Sequence, residues 1–150
     1  MGLIFDQFFH NQVFLTTIFA WIFAQLVKVG LGVVREKKFD FRWLAGTGGM
    51  PSSHVAGFTC LGFALGLEYG FDSAYFALGA ALALLVMFDA QGVRRATGRQ
   101  ARILNKISED IYWRGKINEG RLRELVGHTP VEVIAGFLLG AVIAFAAFYK

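Results

Sequence analysis

The sequence predicts an all-α integral membrane protein, a bundle of about four transmembrane helices with a short amphipathic helix at the membrane surface. Three observations carry this expectation. Of the 150 residues, 55% are hydrophobic and 15% aromatic, with sixteen phenylalanines, and the mean hydropathy is +0.50. A soluble domain of this length buries too small a share of its surface to hide so much apolar area, so a bilayer is the simpler solvent. The apolar residues fall in four runs, and Lys and Arg crowd into only two of the connections between them. The length suits one domain, 1–150.

The first run covers about Val13 to Val34, long enough to cross a bilayer. The second covers Val55 to Leu67 and extends to Ser53 and Tyr69 at its limits; the third covers Ser73 to Phe88. These two are short and are joined by the tight "EYGFDS" turn, as a thin or partly re-entrant pair would be. A buried hairpin of a soluble protein is the weaker alternative, because neither helix has a clear polar face. The fourth run covers Val131 to Phe148. Glycines at four-residue spacing, Gly62 with Gly66, Gly66 with Gly70 and Gly136 with Gly140, allow close helix packing in lipid. The N-terminus lacks the basic start and cleavage site of a signal peptide, so the first run is expected to be retained.

Arg35, Lys37, Lys38 and Arg42 lie between the first two spans. Nine further basic residues, Arg94 to Arg123, lie between the last two, whereas the middle turn holds only Glu68 and Asp72. Positive charge stays on the cytoplasmic side, so both basic connections are expected there and both termini outside, in a cell inner membrane. In the long connection, Ile103, Leu104, Ile107 and Ile111 recur at helical spacing from Ala101 to Ile111, the pattern of an interfacial helix. A net charge of +4 arranged this way serves topology, and nucleic acid is not an expected partner. Cys60, the single cysteine, lies in an apolar run and reads as a small buried hydrophobe. His10 belongs to a polar N-terminal patch and reads as a surface residue.

On this topology the polar residues in and beside the spans meet at one face. Lys28 and Arg35 stand seven apart near the inner end of span one, about 10 Å along the axis on a shared side. "GGMPSSHVAG" brings Ser52, Ser53 and His54 to the inner start of span two. Asp89, Arg94 and Arg95 follow the inner end of span three, and "GHTPVEV" opens span four with His128 and Glu132. Charged groups in spans are costly and mark function by default. A helix N-terminus under a glycine-rich loop favours an anion. Glu132, four residues after His128, is placed to orient its imidazole. Thr129 as N-cap with Pro130 behind it offers a purely structural reading of the same stretch. Two histidines and several guanidinium groups, with no cysteine or carboxylate cluster, point to phosphoryl chemistry without a metal or other cofactor.

These stretches resemble signatures of the type-2 phosphatidic acid phosphatase superfamily. "KVGLGVVR" is similar to its first signature, "PSSH" to its second and "HTPVE" to the end of its third. Closer still is its divergent branch, the acid phosphatase/vanadium-dependent haloperoxidase-related proteins, which "GGMPSSH", "FDAQGVRRATGRQARILN" and "LRELVGHTPVEV" resemble in order. The likeness spans about 28–140. Against the broad superfamily, Glu36 stands where proline is usual, Ser53 replaces glycine and Glu132 replaces aspartate; the Ser-Arg pair ahead of the last histidine is missing at its spacing.

The resemblance implies a membrane lipid phosphatase that hydrolyses a phosphomonoester through a phosphohistidine. His128 is then the nucleophile, Glu132 its orienting carboxylate, and His54 the acid that protonates the leaving alcohol and later activates water. Lys28, Arg94, Arg95 and Arg35 are the implied phosphate-binding cations, with donors from Ser52 and Ser53. Asp89 either anchors one of those arginines or is a helix-end counter-ion. The expected substrate is a glycerophospholipid phosphate, such as phosphatidylglycerophosphate or phosphatidate, or a polyprenyl phosphate. Membrane lipids are the expected surroundings, and a homo-oligomer is compatible with such short spans. A non-catalytic anion- or lipid-binding membrane protein or transporter subunit is the alternative, and a vanadate-dependent haloperoxidase a third reading.

Overall fold

The computed structural model describes residues 2–39, 41, 43, 49–113 and 128–148. Six helices follow one another: α1 (Gly2–His10), α2 (Gln12–Glu36), α3 (Ser53–Tyr69), α4 (Ala74–Gln91), α5 (Val93–Trp113) and α6 (Pro130–Phe148). The described residues contain no strand. The all-α expectation stands, and the four apolar runs correspond to α2, α3, α4 and α6.

Local chemistry sets the boundaries. Asn11 separates α1 from α2 and caps the latter, its Oδ1 accepting the Phe14 N–H at 2.9 Å. α2 ends where Lys37 turns left-handed (φ 52°) and donates its N–H to the Val33 carbonyl. Ser52 and Ser73 cap α3 and α4 by accepting the amides of Val55 and Phe76. Such side-chain oxygens satisfy donors that a helix start leaves without intrahelical partners.

α3 is the hub, packed against α2, α4 and α6. At 17 residues it is shorter than its neighbours. Three helical stretches are long and apolar enough to cross a membrane: α2, the run Ala74–Ser108 that α4 begins, and α6. Their outward faces carry large apolar side chains such as Leu78, Leu85 and Val142, each at least 60% exposed. Apolar surface of that extent suits contact with lipid tails.

Small residues bring α3 close to its neighbours. A Cβ on Gly136 would lie 2.6 Å from the Ser52 carbonyl oxygen, and one on Gly140 would collide with that of Ala56. On the other side, a Cβ on Gly79 would lie 2.9 Å from Gly62 Cα. The backbones therefore touch, as dispersion-driven packing in lipid requires. Two apolar clusters fill the remaining space. One joins α2, α3 and α6 through Val13, Ala20, Cys60, Ala64, Ala144 and Phe148. The other joins α3, α4 and α6 through Val55, Ala90 and Val133.

The amphipathic helix is longer than its periodicity indicated. α5 starts at Val93, one residue after α4, because Gly92 remains right-handed and donates its N–H to the Phe88 carbonyl. Its first two turns, "VRRATGRQ", carry too few apolar residues to show a helical stripe. Gly98, Ala101 and Asn105 form its buried side, while Ile103, Leu104 and Ile107 are exposed. At the N-terminus, His10 is an exposed surface residue at the end of α1, with Nδ1 2.7 Å from the Asp6 carbonyl oxygen.

Candidate functional site

The site lies where the starts of α3 and α6 meet the end of α4. Thr129, Pro130 and Glu132 open α6 as a capping box: the Thr129 N–H donates to Glu132 Oε2 at 3.0 Å, and the Glu132 N–H donates to Thr129 Oγ1 at 3.4 Å. The box holds the Glu132 carboxylate over the helix start. His128 precedes it and is 2% exposed, with Nδ1 3.0 Å from the same Oε2. With the Nδ1–H donated to the carboxylate, Nε2 is the ring nitrogen turned away from Glu132, and in the neutral imidazole it would carry the lone pair. The ring is therefore set as a nucleophile or base is set in other enzymes, by a third group that orients it.

Two main-chain bonds lock this unit to the bundle. His128 N–H donates to the Ala90 carbonyl at 3.1 Å, tying it to the last turn of α4. Ser52 N–H donates to the Glu132 carbonyl at 3.1 Å, tying the start of α3 to α6. The positive ends of two helix dipoles consequently lie side by side, where negative charge is favoured. The Val55, Ala90 and Val133 cluster supports them from within the bundle.

α2 supplies a cation. Lys28 is half-buried, its Nζ donates to Gln25 Oε1 at 2.9 Å, and its ammonium is close enough to the Glu132 carboxylate for Coulomb attraction. Gln25 is itself 9% exposed and donates from Nε2 to the Trp43 carbonyl at 2.8 Å. The Lys28 stem runs beneath Gly49, whose φ is +87° and whose missing Cβ would lie 3.2 Å from Lys28 Cγ. Only glycine accepts both that backbone region and that contact without strain.

The structure thus brings together His128, Glu132, Lys28 and the Ser52 backbone. Ser52 is fully buried and its Oγ faces the Val55 N–H at 3.5 Å, so its hydroxyl serves as the α3 cap. Ser53 is also buried, at 1% exposure. His54 is half-buried on the side of α3 that faces α2. Asp89 sits in the last turn of α4, beside the Ala90 carbonyl that holds His128. Arg35 is exposed in the final turn of α2, well along the helix from Lys28. Arg94 and Arg95 lie in the first turn of α5, and position 94 falls on the same helical side as Gly98, Ala101 and Asn105. Arg42, the 114–127 basic stretch and the "LRELVG" part of the third block lie outside the described residues. Among the described residues, no three His, Cys, Asp or Glu groups gather closely enough to hold a metal ion.

Two contributors escaped the sequence reading, Gln25 and the Ala90 carbonyl, whereas Gly49 belongs to the glycine-rich loop expected to allow close backbone approach. Gln25 had a signal, a polar residue one turn before a lysine inside an apolar run. The Ala90 carbonyl had none, since any residue supplies that group.

The chain is 39% identical over 152 residues to YuiD of Bacillus subtilis (strain 168), described as an uncharacterized membrane protein; the match covers 93% of this chain and 95% of that one. No solved structure matches the chain. The profile of the divergent PAP2 family matches residues 9–143, almost the whole bundle and every described group of the site. This membrane protein therefore belongs to the divergent PAP2 family.

Proposed function

We propose that the protein is a membrane lipid phosphatase that hydrolyses a phosphomonoester through a phosphohistidine. The observation that carries this reading is the buried His128–Glu132 pair, held at the junction of two helix N-termini within Coulomb reach of Lys28. In the first step His128 Nε2 attacks phosphorus as the bond to the leaving oxygen breaks, and His54 gives that oxygen a proton. Glu132 stabilises the positive ring that results. In the second step His54 takes a proton from water, the water oxygen bonds to phosphorus, and the P–N bond breaks to restore His128. Lys28, the α3 and α6 amides, Arg94 and Arg95 stabilise the charge on the phosphoryl oxygens; Arg35 is the more distant member of the set.

The test is phosphate release from lipid phosphates by the full chain in nanodiscs. His128→Asn keeps a polar side chain at a buried position and is expected to abolish turnover while the protein stays folded. Full turnover by that variant would falsify the catalytic assignment. The capping role of Glu132 favours one second reading, a non-catalytic anion- or lipid-binding protein in which the His128–Glu132 pair is only a structural joint. Tight binding of a lipid phosphate with no release of phosphate by the wild type selects it.

The active face is assigned to the cytoplasmic side of a cell inner membrane. Supporting this, Arg35, Lys37 and Lys38 flank the site end of α2, whereas the opposite α3–α4 turn holds Glu68 and Asp72. In intact cells an impermeant thiol reagent is expected to label Asp72→Cys and to leave Lys38→Cys unlabelled; the reverse pattern inverts the topology.

A further inference from the structure

The buried amide of Gln25 has no step in the chemistry above. Gln25, Lys28 and Gly32 stand at i, i+3 and i+7 of α2, which places them on one face of that helix. Trp43 lies across this face and touches it on both sides of Lys28. Its carbonyl accepts from Gln25 Nε2 at 2.8 Å. Its ring covers Gly32, where a Cβ would lie 3.1 Å from Trp43 Cε3. Between these two contacts, Lys28 Nζ donates to Gln25 Oε1 at 2.9 Å, and Gly49 closes over the lysine stem.

Chemistry fixes the direction of this relay. An ammonium only donates and a carbonyl only accepts, so the side chain that joins them must offer both an oxygen and an N–H. An amide does so, whereas a carboxylate lacks the donor and a leucine lacks both groups. Gln25 is buried, so little water is at hand to replace either bond. The group it holds needs holding: a lysine is a point charge on a flexible four-carbon stem.

We propose that Gln25 is a positioning residue for the phosphoryl site: it ties the Lys28 ammonium to the Trp43 main chain, so that the charge is already in place when an anion arrives. Ordering of the lysine is then settled by folding and does not weigh against binding. The ammonium also lies within Coulomb reach of Glu132. Held by Gln25, it does not collapse onto that carboxylate, which stays with His128. As a statement about catalysis the inference rests on the lipid phosphatase reading; as a statement about anion binding it stands apart from it.

A double-mutant cycle in the full chain, in nanodiscs, tests the role. With phosphatidate as substrate, Gln25→Leu is expected to lower kcat/KM about tenfold, and Lys28→Met about 10²-fold. In the Lys28→Met background, Gln25→Leu is expected to have no further effect, because Gln25 acts through Lys28. A merely structural glutamine lowers kcat/KM by the same factor in both backgrounds. That result, or unchanged kcat/KM in Gln25→Leu, overturns the proposal. If thermal unfolding shows that Gln25→Leu does not fold, Gly32→Leu replaces it in the cycle, since it displaces Trp43 without touching the buried amide. If the wild type releases no phosphate, the phosphatase reading falls, and the same cycle is read on the Kd of inorganic phosphate. A loss of affinity that vanishes in the Lys28→Met background upholds the role of Gln25. Equal losses in both backgrounds, no loss, or no phosphate binding by the wild type overturns it.

Discussion

Helix α3 meets α6 and α2 along two seams of opposite character. Against α6 the contact is backbone on backbone, with Gly136 facing the Ser52 carbonyl and Gly140 facing that of Ala56. Against α2 the helices touch at Gly57 and Cys60 and otherwise leave a groove. The α3–α6 seam positions the site, because the Ser52–Glu132 main-chain bond lies at its end. The α2–α3 seam leaves an open groove lined mostly by apolar side chains. Rigidity and access are thus divided between two faces of one helix.

The largest expected effect comes from breaking the tight seam. Gly140→Val places its branched side chain into the Ala56 carbonyl, which cannot move without displacing α3. Overpacking of this kind costs about 3 kcal/mol, and here backbone rather than a side chain would have to yield. Loss of folded protein, measured by thermal unfolding in detergent, is the expected outcome. A stable, active Gly140→Val protein would show that the seam is looser than the structure has it.

The next effect separates the two roles of Glu132. Glutamine also serves in a capping box, so Glu132→Gln is expected to keep stability within about 0.5 kcal/mol. The same change removes the charge that supports the His128 ring, and turnover is expected to fall about 10²-fold or more. Glu132→Ala additionally loses the cap, for about 1 kcal/mol. Equal activity in the wild type and Glu132→Gln would reduce the carboxylate to a structural part.

The smallest effect belongs to the looser seam. Gly57→Ala adds a methyl group at ordinary contact distance from Trp21, so stability is expected to change by no more than about 0.5 kcal/mol. A large destabilisation there, measured by the same unfolding assay, would mean that the two seams are equally tight and that the groove closes in solution.

Much of this arrangement was legible in the chain because membrane helices announce themselves by composition. The α3 boundaries coincide with the longer extent read for the second run, since Ser52 and Gly70 are strong helix punctuation. Gly136 and Gly140 stood at helix-packing spacing, yet their partners, the carbonyls of Ser52 and Ala56, leave no trace in residue identity. The start of α5 was missed because a helix can propagate from α4 through Gly92 without any apolar stripe of its own. In the site, His128, Glu132 and Lys28 were readable as costly polar residues beside apolar spans. The tie from Gln25 to Trp43 spans eighteen residues, beyond the reach of any local pattern.

The sequence by itself determined the solvent, the helical class and the end of the bundle at which the polar groups gather. These follow from hydropathy, charge distribution and turn chemistry, all of which act over a few residues. Tertiary structure alone decided that α3 is the hub, that His128 is buried against the last turn of α4, and that His54 faces a groove. Those outcomes depend on which helix faces touch. Contact between faces is settled by packing across the bundle, where a missing Cβ on one helix matters only through the backbone opposite it.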